Sequence, residues 1–227
     1  MSASAEASVV YTGTGTNLAS GQVLSASVEF DILTGNKLRI TLSNLGAPVR
    51  QPSDVLTCLF FDLSGAAALT PDSAVLGFGS TLINGPLPAG QTLGDQWEYL
   101  GGLSKTPGGA TRGISAAGFG LFNHGDFGSN PQNLGGITYG VINGSPAGGN
   151  GQVPTTPLEN HSMVFTLRGL PTAFNLANIN HVGFQYGTAL APSEPFLVPH
   201  LVVPEPSALA LLALGAAAFV MRRRHGH

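Results

Sequence analysis

The chain has a single cysteine, Cys58, in 227 residues. That excludes an intramolecular disulfide and a four-cysteine zinc site. Cys58 lies in the apolar run Val55-Leu56-Thr57-Cys58-Leu59-Phe60-Phe61, which points to a buried structural thiol rather than a nucleophile. Charge is scarce too. Asp, Glu, Lys and Arg make up 9% of the chain, far below the roughly 25% usual in soluble domains, so polarity rests on Ser, Thr, Asn and Gln. Residues 1–203 carry six basic and eleven acidic side chains, a net charge of −5. Such a body offers no basic face to phosphates and argues against nucleic acid as a partner. There is no G-x-S-x-G, no G-x-x-x-x-G-K-[ST], no H-E-x-x-H and no G-x-G-x-x-G, and with them go the commonest devices for activating a nucleophile, cradling a phosphate or holding a catalytic zinc. The six histidines, at 124, 161, 181, 200, 225 and 227, are scattered except for the last two. His161 and His181 read as ordinary rim residues at strand starts, and no metal or cofactor is expected. The stretch Met1 to Ala7 has neither a basic nor an apolar export region, but its Ala3-Ser4-Ala5 triplet is of the type that precedes signal cleavage. Residues 1–5 are therefore expected to be the remnant of a longer export signal.

What the body does have is two-residue periodicity. Leu24, Ala26, Val28, Phe30 and Ile32 alternate with Ser25, Ser27, Glu29 and Asp31; after Thr34-Gly35-Asn36 the alternation resumes with Leu38, Ile40 and Leu42 against Lys37, Arg39, Thr41 and Ser43. Two half-buried antiparallel strands joined by a glycine-asparagine turn make a hairpin with one wet face. Residues 54–63 are almost continuously apolar, rich in aromatics and too short for a typical helix, which places a central strand there. Shorter strands are expected around 74–78, 96–100, 114–122, 137–142, 162–168 and 181–187, with glycine-rich loops at 84–95, 101–113 and 143–157. Glycine and proline supply 48 residues, about 21% of the chain, a level that signals frequent turns and not disorder. One all-β domain is the natural count for a body of this length. The expected fold is all-β: an antiparallel, jelly-roll-like β-sandwich over residues 6–190, an extended proline-containing linker over 191–203 and one short hydrophobic helix at the C-terminus.

Three groups in the body invite a chemical reading. Asp54 and Asp62 bracket the central strand, but eight residues of strand separate them by about 26 Å, too far for a glycosidase carboxylate pair. The loop Asn123-His124-Gly125-Asp126-Phe127-Gly128-Ser129-Asn130 is rich in oxygen ligands suited to Ca²⁺, with a single carboxylate; a plain turn cluster is the simpler reading. Trp97 and Tyr99, flanked by Asp95 and Glu98, could offer an aromatic platform to a sugar ring, against the simpler reading of one buried and one edge aromatic.

The last twenty-five residues are of another kind. Val203-Pro204-Glu205-Pro206-Ser207 leads into Ala208 to Met221, fourteen residues without a charged or hydrogen-bonding side chain, and then Arg222-Arg223-Arg224-His225-Gly226-His227. A helix of that run would be apolar all round and about 21 Å long, short of a hydrocarbon core of roughly 30 Å, although arginine stems can snorkel to extend its reach. Arginines on its far side keep the C-terminus cytoplasmic and the body outside. These features, in this order, resemble the PEP-CTERM sorting signal of Gram-negative bacterial surface proteins, the substrates of exosortase. The resemblance makes Pro204, Glu205 and Pro206 the recognition residues and Arg222, Arg223 and Arg224 the stop-transfer cluster. It implies a membrane-embedded transpeptidase, exosortase, as partner, export with the tail helix held in the inner membrane until processing, and a final place at the cell surface or in the extracellular matrix. Within the body, residues 54–62 and the run Gly183-Phe184-Gln185-Tyr186-Gly187-Thr188-Ala189-Leu190 with Glu194-Pro195 look like features of exosortase-dependent surface proteins, with Cys58 standing where a small residue is expected. The expected function is that of a non-catalytic surface or matrix protein. The alternative is a surface-held carbohydrate-binding module that associates with exopolysaccharide through Trp97 and Tyr99.

Overall fold

The computed structural model describes residues 8–66, 68–147 and 153–202. Among them fourteen strands, numbered in chain order, form two sheets on either side of one apolar core. In the first sheet β1 (Ser8–Thr16), β2 (Val23–Leu33) and β3 (Lys37–Asn44) run as an antiparallel meander. It continues through β11 (Ser162–Arg168) to β5 (Thr70–Leu76) at one edge, and β14 (His200–Val202) pairs with β1 at the other. The hairpin between β2 and β3 turns at Gly35 and Asn36, both at positive φ (78° and 57°), as the glycine-asparagine pair predicts. Leu24, Ala26, Val28 and Phe30 face inward opposite Leu38, Ile40 and Leu42, all buried, while their hydroxyl and charged neighbours face out.

The second sheet is built on β4 (Leu56–Leu63), which pairs along one side with β12 (Ile179–Tyr186). Its other side is shared: residues 58–61 pair with β8 (Arg112–Ser115), and Leu56 pairs with β9 (Val141–Ile142). β7 (Glu98–Gly101) extends the first branch; β10 (Leu158–Asn160) and β6 (Thr81–Ile83) extend the second. β13 (Phe196–Leu197) lies on the outer side of β12. β9 and β10 are parallel, a departure from the all-antiparallel expectation.

Why the centre of β4 is apolar on both faces follows from what covers it. Leu59 and Phe61 enter the inter-sheet core, where Phe61 meets Phe30 edge-on at 5.6 Å between ring centres. Cys58 and Phe60 point the other way, into a second cluster with Ala110 and Phe122. Loops over residues 103–134 therefore form an outer layer that lets a strand with no wet face exist. At roughly 1.5–3 kcal/mol for each fully buried large side chain, Phe60 and Phe61 stabilise that layer and the core by comparable amounts. The Cys58 thiol is fully buried, and burial pushes its pKa well above the ordinary value.

The structure revises several boundaries. β1 escapes the alternation test because Thr12-Gly13-Thr14-Gly15-Thr16 puts glycines where apolar side chains would face the core. A Cβ on Gly15 would come within 2.6 Å of Leu197, so the glycines make room for the chain that packs beneath them. The strand expected over 114–122 ends at Ser115, whose Oγ accepts a bond from the Ala117 amide and starts a turn; the one expected over 137–142 is confined to Val141–Ile142. The linker expected over 191–203 is a correction: as far as Val202 it supplies β13 and β14, one to each sheet. The expected C-terminal helix and the Ala3-Ser4-Ala5 triplet lie outside the described residues. Among the described residues, no helix is long and apolar enough to cross a membrane.

Candidate functional site at the junction of body and tail

β12 and the segment after it form a clamp around residues 194–197, and each residue of the run 183–187 has an identifiable part in it. Gly183 leaves space for the Phe196 ring, which would lie 2.2 Å from a Cβ at that position. Phe184 and Gln185 pair with Leu197 and Phe196 across the strands. Gln185 is 1% exposed, and its amide donates to the carbonyls of Tyr186, Ala189 and Pro195, so one side chain ties the strand, the following turn and the returning segment. The Tyr186 amide donates to the Pro195 carbonyl at 3.0 Å.

Gly187 adopts φ of 78°, conformationally cheap for glycine and uncommon for other residues. That turn aims the amides of Thr188 and Ala189 at one oxygen, Oε2 of Glu194, which accepts both. A Cβ on Gly187 would lie 2.3 Å from the same oxygen. Behind the turn, the Thr57 hydroxyl donates to the Gly187 carbonyl and the Gly187 amide donates to the Val55 carbonyl at 2.9 Å, which fastens the clamp to the start of β4. Backbone amides converging on a carboxylate make charge-assisted bonds, stronger than neutral ones.

From the clamp the chain crosses between the sheets. Leu197, 8% exposed, packs under Gly13 and Gly15 of β1, and three residues later His200–Val202 pairs with Thr12, Tyr11 and Val10. His200 Nε2 and the Thr12 hydroxyl share a hydrogen bond of 3.2 Å. Among the described residues the last pairing is thus Val202 with Val10, and Pro204 follows two residues later in the sequence. The 183–190 run and Glu194-Pro195 stand out in the sequence, but the bonds that join them do not. The available signal is the pairing of a strand-terminating glycine with a carboxylate a few residues on.

The other predicted residues fall elsewhere. Trp97 is 0% and Tyr99 5% exposed, so they form no surface platform, which corrects the glycan-stacking reading. Trp97 packs edge-on to Phe165 at 4.9 Å and donates from Nε1 to Glu159 Oε1 at 3.1 Å. Glu159 is fully buried, its Oε2 has no partner, and burial pushes its carboxyl well above the ordinary value against the smaller pull of the Trp97 N–H. In the loop 123–130, the acids are used to order backbone. Glu98 Oε2 accepts the amides of Asn123 and His124, Asp95 Oδ1 accepts that of Asn130, and Asp126 Oδ1 accepts that of Tyr99. Burial, helped by Glu98, pushes the Asp126 carboxyl up to about 6. Among the described residues no three His, Cys, Asp or Glu side chains gather into a set that could hold a metal.

Asp54 and Asp62 stand apart as the strand length requires. The buried Asp54 accepts from Asn17, Ser20 and the amides of Arg50 and Gln51. Asp62 accepts from Thr111 and meets His181 Nδ1 at 2.7 Å on the surface. His161 sits exposed at φ of 86° between β10 and β11. Pro204, Glu205, Pro206 and Arg222 to Arg224 lie outside the described residues.

Comparison with known proteins places the recognisable signal beside the clamp. Residues 202–224 match the family model for the PEP-CTERM protein-sorting motif. The match takes in the proline-glutamate-proline triplet, the apolar run and the three arginines, begins at the last residue of β14, and leaves the sandwich unmatched. No curated protein and no solved structure matches the chain. A motif of this kind supports an exported protein that exosortase sorts toward the cell surface.

Proposed function

We propose that the chain is a non-catalytic surface or extracellular-matrix protein whose sandwich is the delivered cargo and whose tail is the address. The observation that carries this reading is the sorting-motif match directly abutting β14. The clamp supports it: Gln185, Gly187, Thr188, Ala189 and Glu194 use their polar groups to fix the point from which the tail leaves. In this reading Pro204, Glu205 and Pro206 are recognised by exosortase, and Ala208 to Met221 holds the substrate in the inner membrane with Arg222, Arg223 and Arg224 on the cytoplasmic side. The apolar run is about 9 Å short of the hydrocarbon thickness, so it suits temporary retention better than permanent anchorage.

The test is the intact mass of the surface protein from cells that contain exosortase. The mature form is expected to lack residues beyond the proline-glutamate-proline region, and Glu205→Ala or deletion of Arg222 to Arg224 is expected to leave unprocessed precursor. Wild-type protein that still carries Ala208 to His227 at the cell surface would overturn the sorting reading and leave a simple tail anchor.

A further inference from the structure

The chain leaves the sandwich through two attachments of unequal strength. The first is the clamp: Glu194 accepts the amides of Thr188 and Ala189, the Pro195 carbonyl accepts from the Tyr186 amide and the Gln185 side chain, and Leu197 is buried. The second is β14, three residues that pair with β1 along one side and, among the described residues, with nothing along the other. Its side chains are exposed, Leu201 to 46% and Val202 to 38%, and the side-chain bond it makes, between His200 and Thr12, lies at the surface. Between the two attachments Val198 is 76% exposed and Pro199 has no N–H to give to a ladder. A short edge strand with little buried surface belongs to the parts of a fold that open locally at small cost, whereas the clamp is shielded and bonded at several points.

The difference decides how far the sorting triplet can reach. With β14 docked, two residues separate Val202 from Pro204, at most about 7 Å of extended chain. With β14 undone and the clamp closed, seven residues separate Leu197 from Pro204, a reach of about 25 Å. An enzyme that cuts a peptide bond has to close around the chain on both sides of it, so it acts on segments that stand clear of their own fold or on a locally opened state. Release of β14 supplies that clearance and leaves the sandwich intact.

We propose that β14 is a releasable strap: docked on β1 it holds the proline-glutamate-proline triplet against the sandwich, and its release, with the clamp still closed, gives exosortase the slack to take the triplet up. The proposal rests on the sorting reading above and adds the step that regulates it. The experiment locks the strap. Thr12 and His200 face each other across the ladder, where antiparallel partners stand about 4.5–5.5 Å apart between Cα atoms, within disulfide range. Thr12→Cys with His200→Cys is expected to form a disulfide in the full-length exported chain, with the buried Cys58 taking no part. Intact mass then follows both the disulfide and the tail in cells that contain exosortase. Wild type and each single variant are expected to lose the tail, and the locked protein to be processed at least tenfold more slowly. Reduction with dithiothreitol should restore processing, and so should six glycine and serine residues inserted between Val202 and Val203 of the locked variant, because they supply slack beyond the lock. Locked protein processed at the wild-type rate, or an insertion that fails to restore processing, would overturn the strap alone; a wild type that keeps its tail would overturn the sorting reading and the strap with it. A double variant that never oxidises would contradict the docked register. In the purified full-length chain, protected amides of β14 are expected to exchange with solvent at least tenfold faster than those of 186–189, and equal protection would show that the strap does not open independently of the clamp.

Discussion

If the clamp fixes the tail's point of departure, removing its carboxylate should loosen one corner of the protein and leave the rest in place. Glu194→Ala deletes the acceptor for the Thr188 and Ala189 amides. Hydrogen bonds to a charged group contribute about 1.5–3 kcal/mol each when well shielded. Glu194 is half-exposed, so the lower end applies, and a joint loss of about 2–3 kcal/mol is expected for local opening. At 1.4 kcal/mol per factor of ten, the protected amides of 186–189 should exchange with solvent roughly 30- to 150-fold faster. Exchange in β2, β3 and the centre of β4 should hardly change, because those strands draw their protection from the inter-sheet core. Glu194→Gln keeps an oxygen acceptor without the charge and should fall between the two. The assay is amide hydrogen exchange on the full chain, resolved by peptide. Unchanged protection of Thr188 and Ala189 in Glu194→Ala, or an equal rise across the whole sandwich, would refute the idea that Glu194 closes a local clamp.

Other expectations concern the body. Both Glu159 and Asp126 have raised carboxyl pKa values in the folded state, so each favours folding fully below the ordinary carboxylate range near pH 4 and loses that contribution as pH rises through its folded value. For Asp126 that window runs from about 4 to about 6. Chemical denaturation at several pH values should show wild-type stability falling as pH rises, a shallower fall in Asp126→Asn between pH 4 and 6, and a gain for Glu159→Gln at alkaline pH; a steeper fall in either variant would contradict the assignment. Gly125→Ala would place a methyl 2.1 Å from the Asp95 carbonyl oxygen, where backbone must shift. A loss of about 3 kcal/mol or more, some 6–12 °C in melting temperature, is expected, and a neutral outcome would show that the 123–130 loop is not held against Asp95. Cys58 should resist an aqueous thiol reagent in the native protein and react once denaturant unfolds it, since its thiol is both shielded and raised in pKa by burial; rapid native labelling would place the outer loop layer wrongly.

Two parts of this protein could be read without a structure, for different physical reasons. Alternation in 24–32 and 38–42 is a local consequence of a strand with one wet face, so the sequence alone determines that hairpin and its inward side. The tail is likewise written locally, as a proline-flanked acid, an apolar run and three arginines in linear order, which is why the family match falls on it. Tertiary structure decides wherever a residue's neighbour comes from a distant part of the chain. Gly13 and Gly15 make sense only once Leu197 is packed against them, and β1 goes unrecognised until then. Trp97 and Tyr99 have polar neighbours in sequence, yet the second sheet turns both toward the core. The prolines of 191–203 look like a linker's, but Gln185 and Glu194 supply the bonds that dock the segment, and extended backbone with satisfied partners becomes strand. Composition cannot show whether an extended segment is free or paired, because the same backbone conformation serves both; only the edges left open by β12 and β1 determine it.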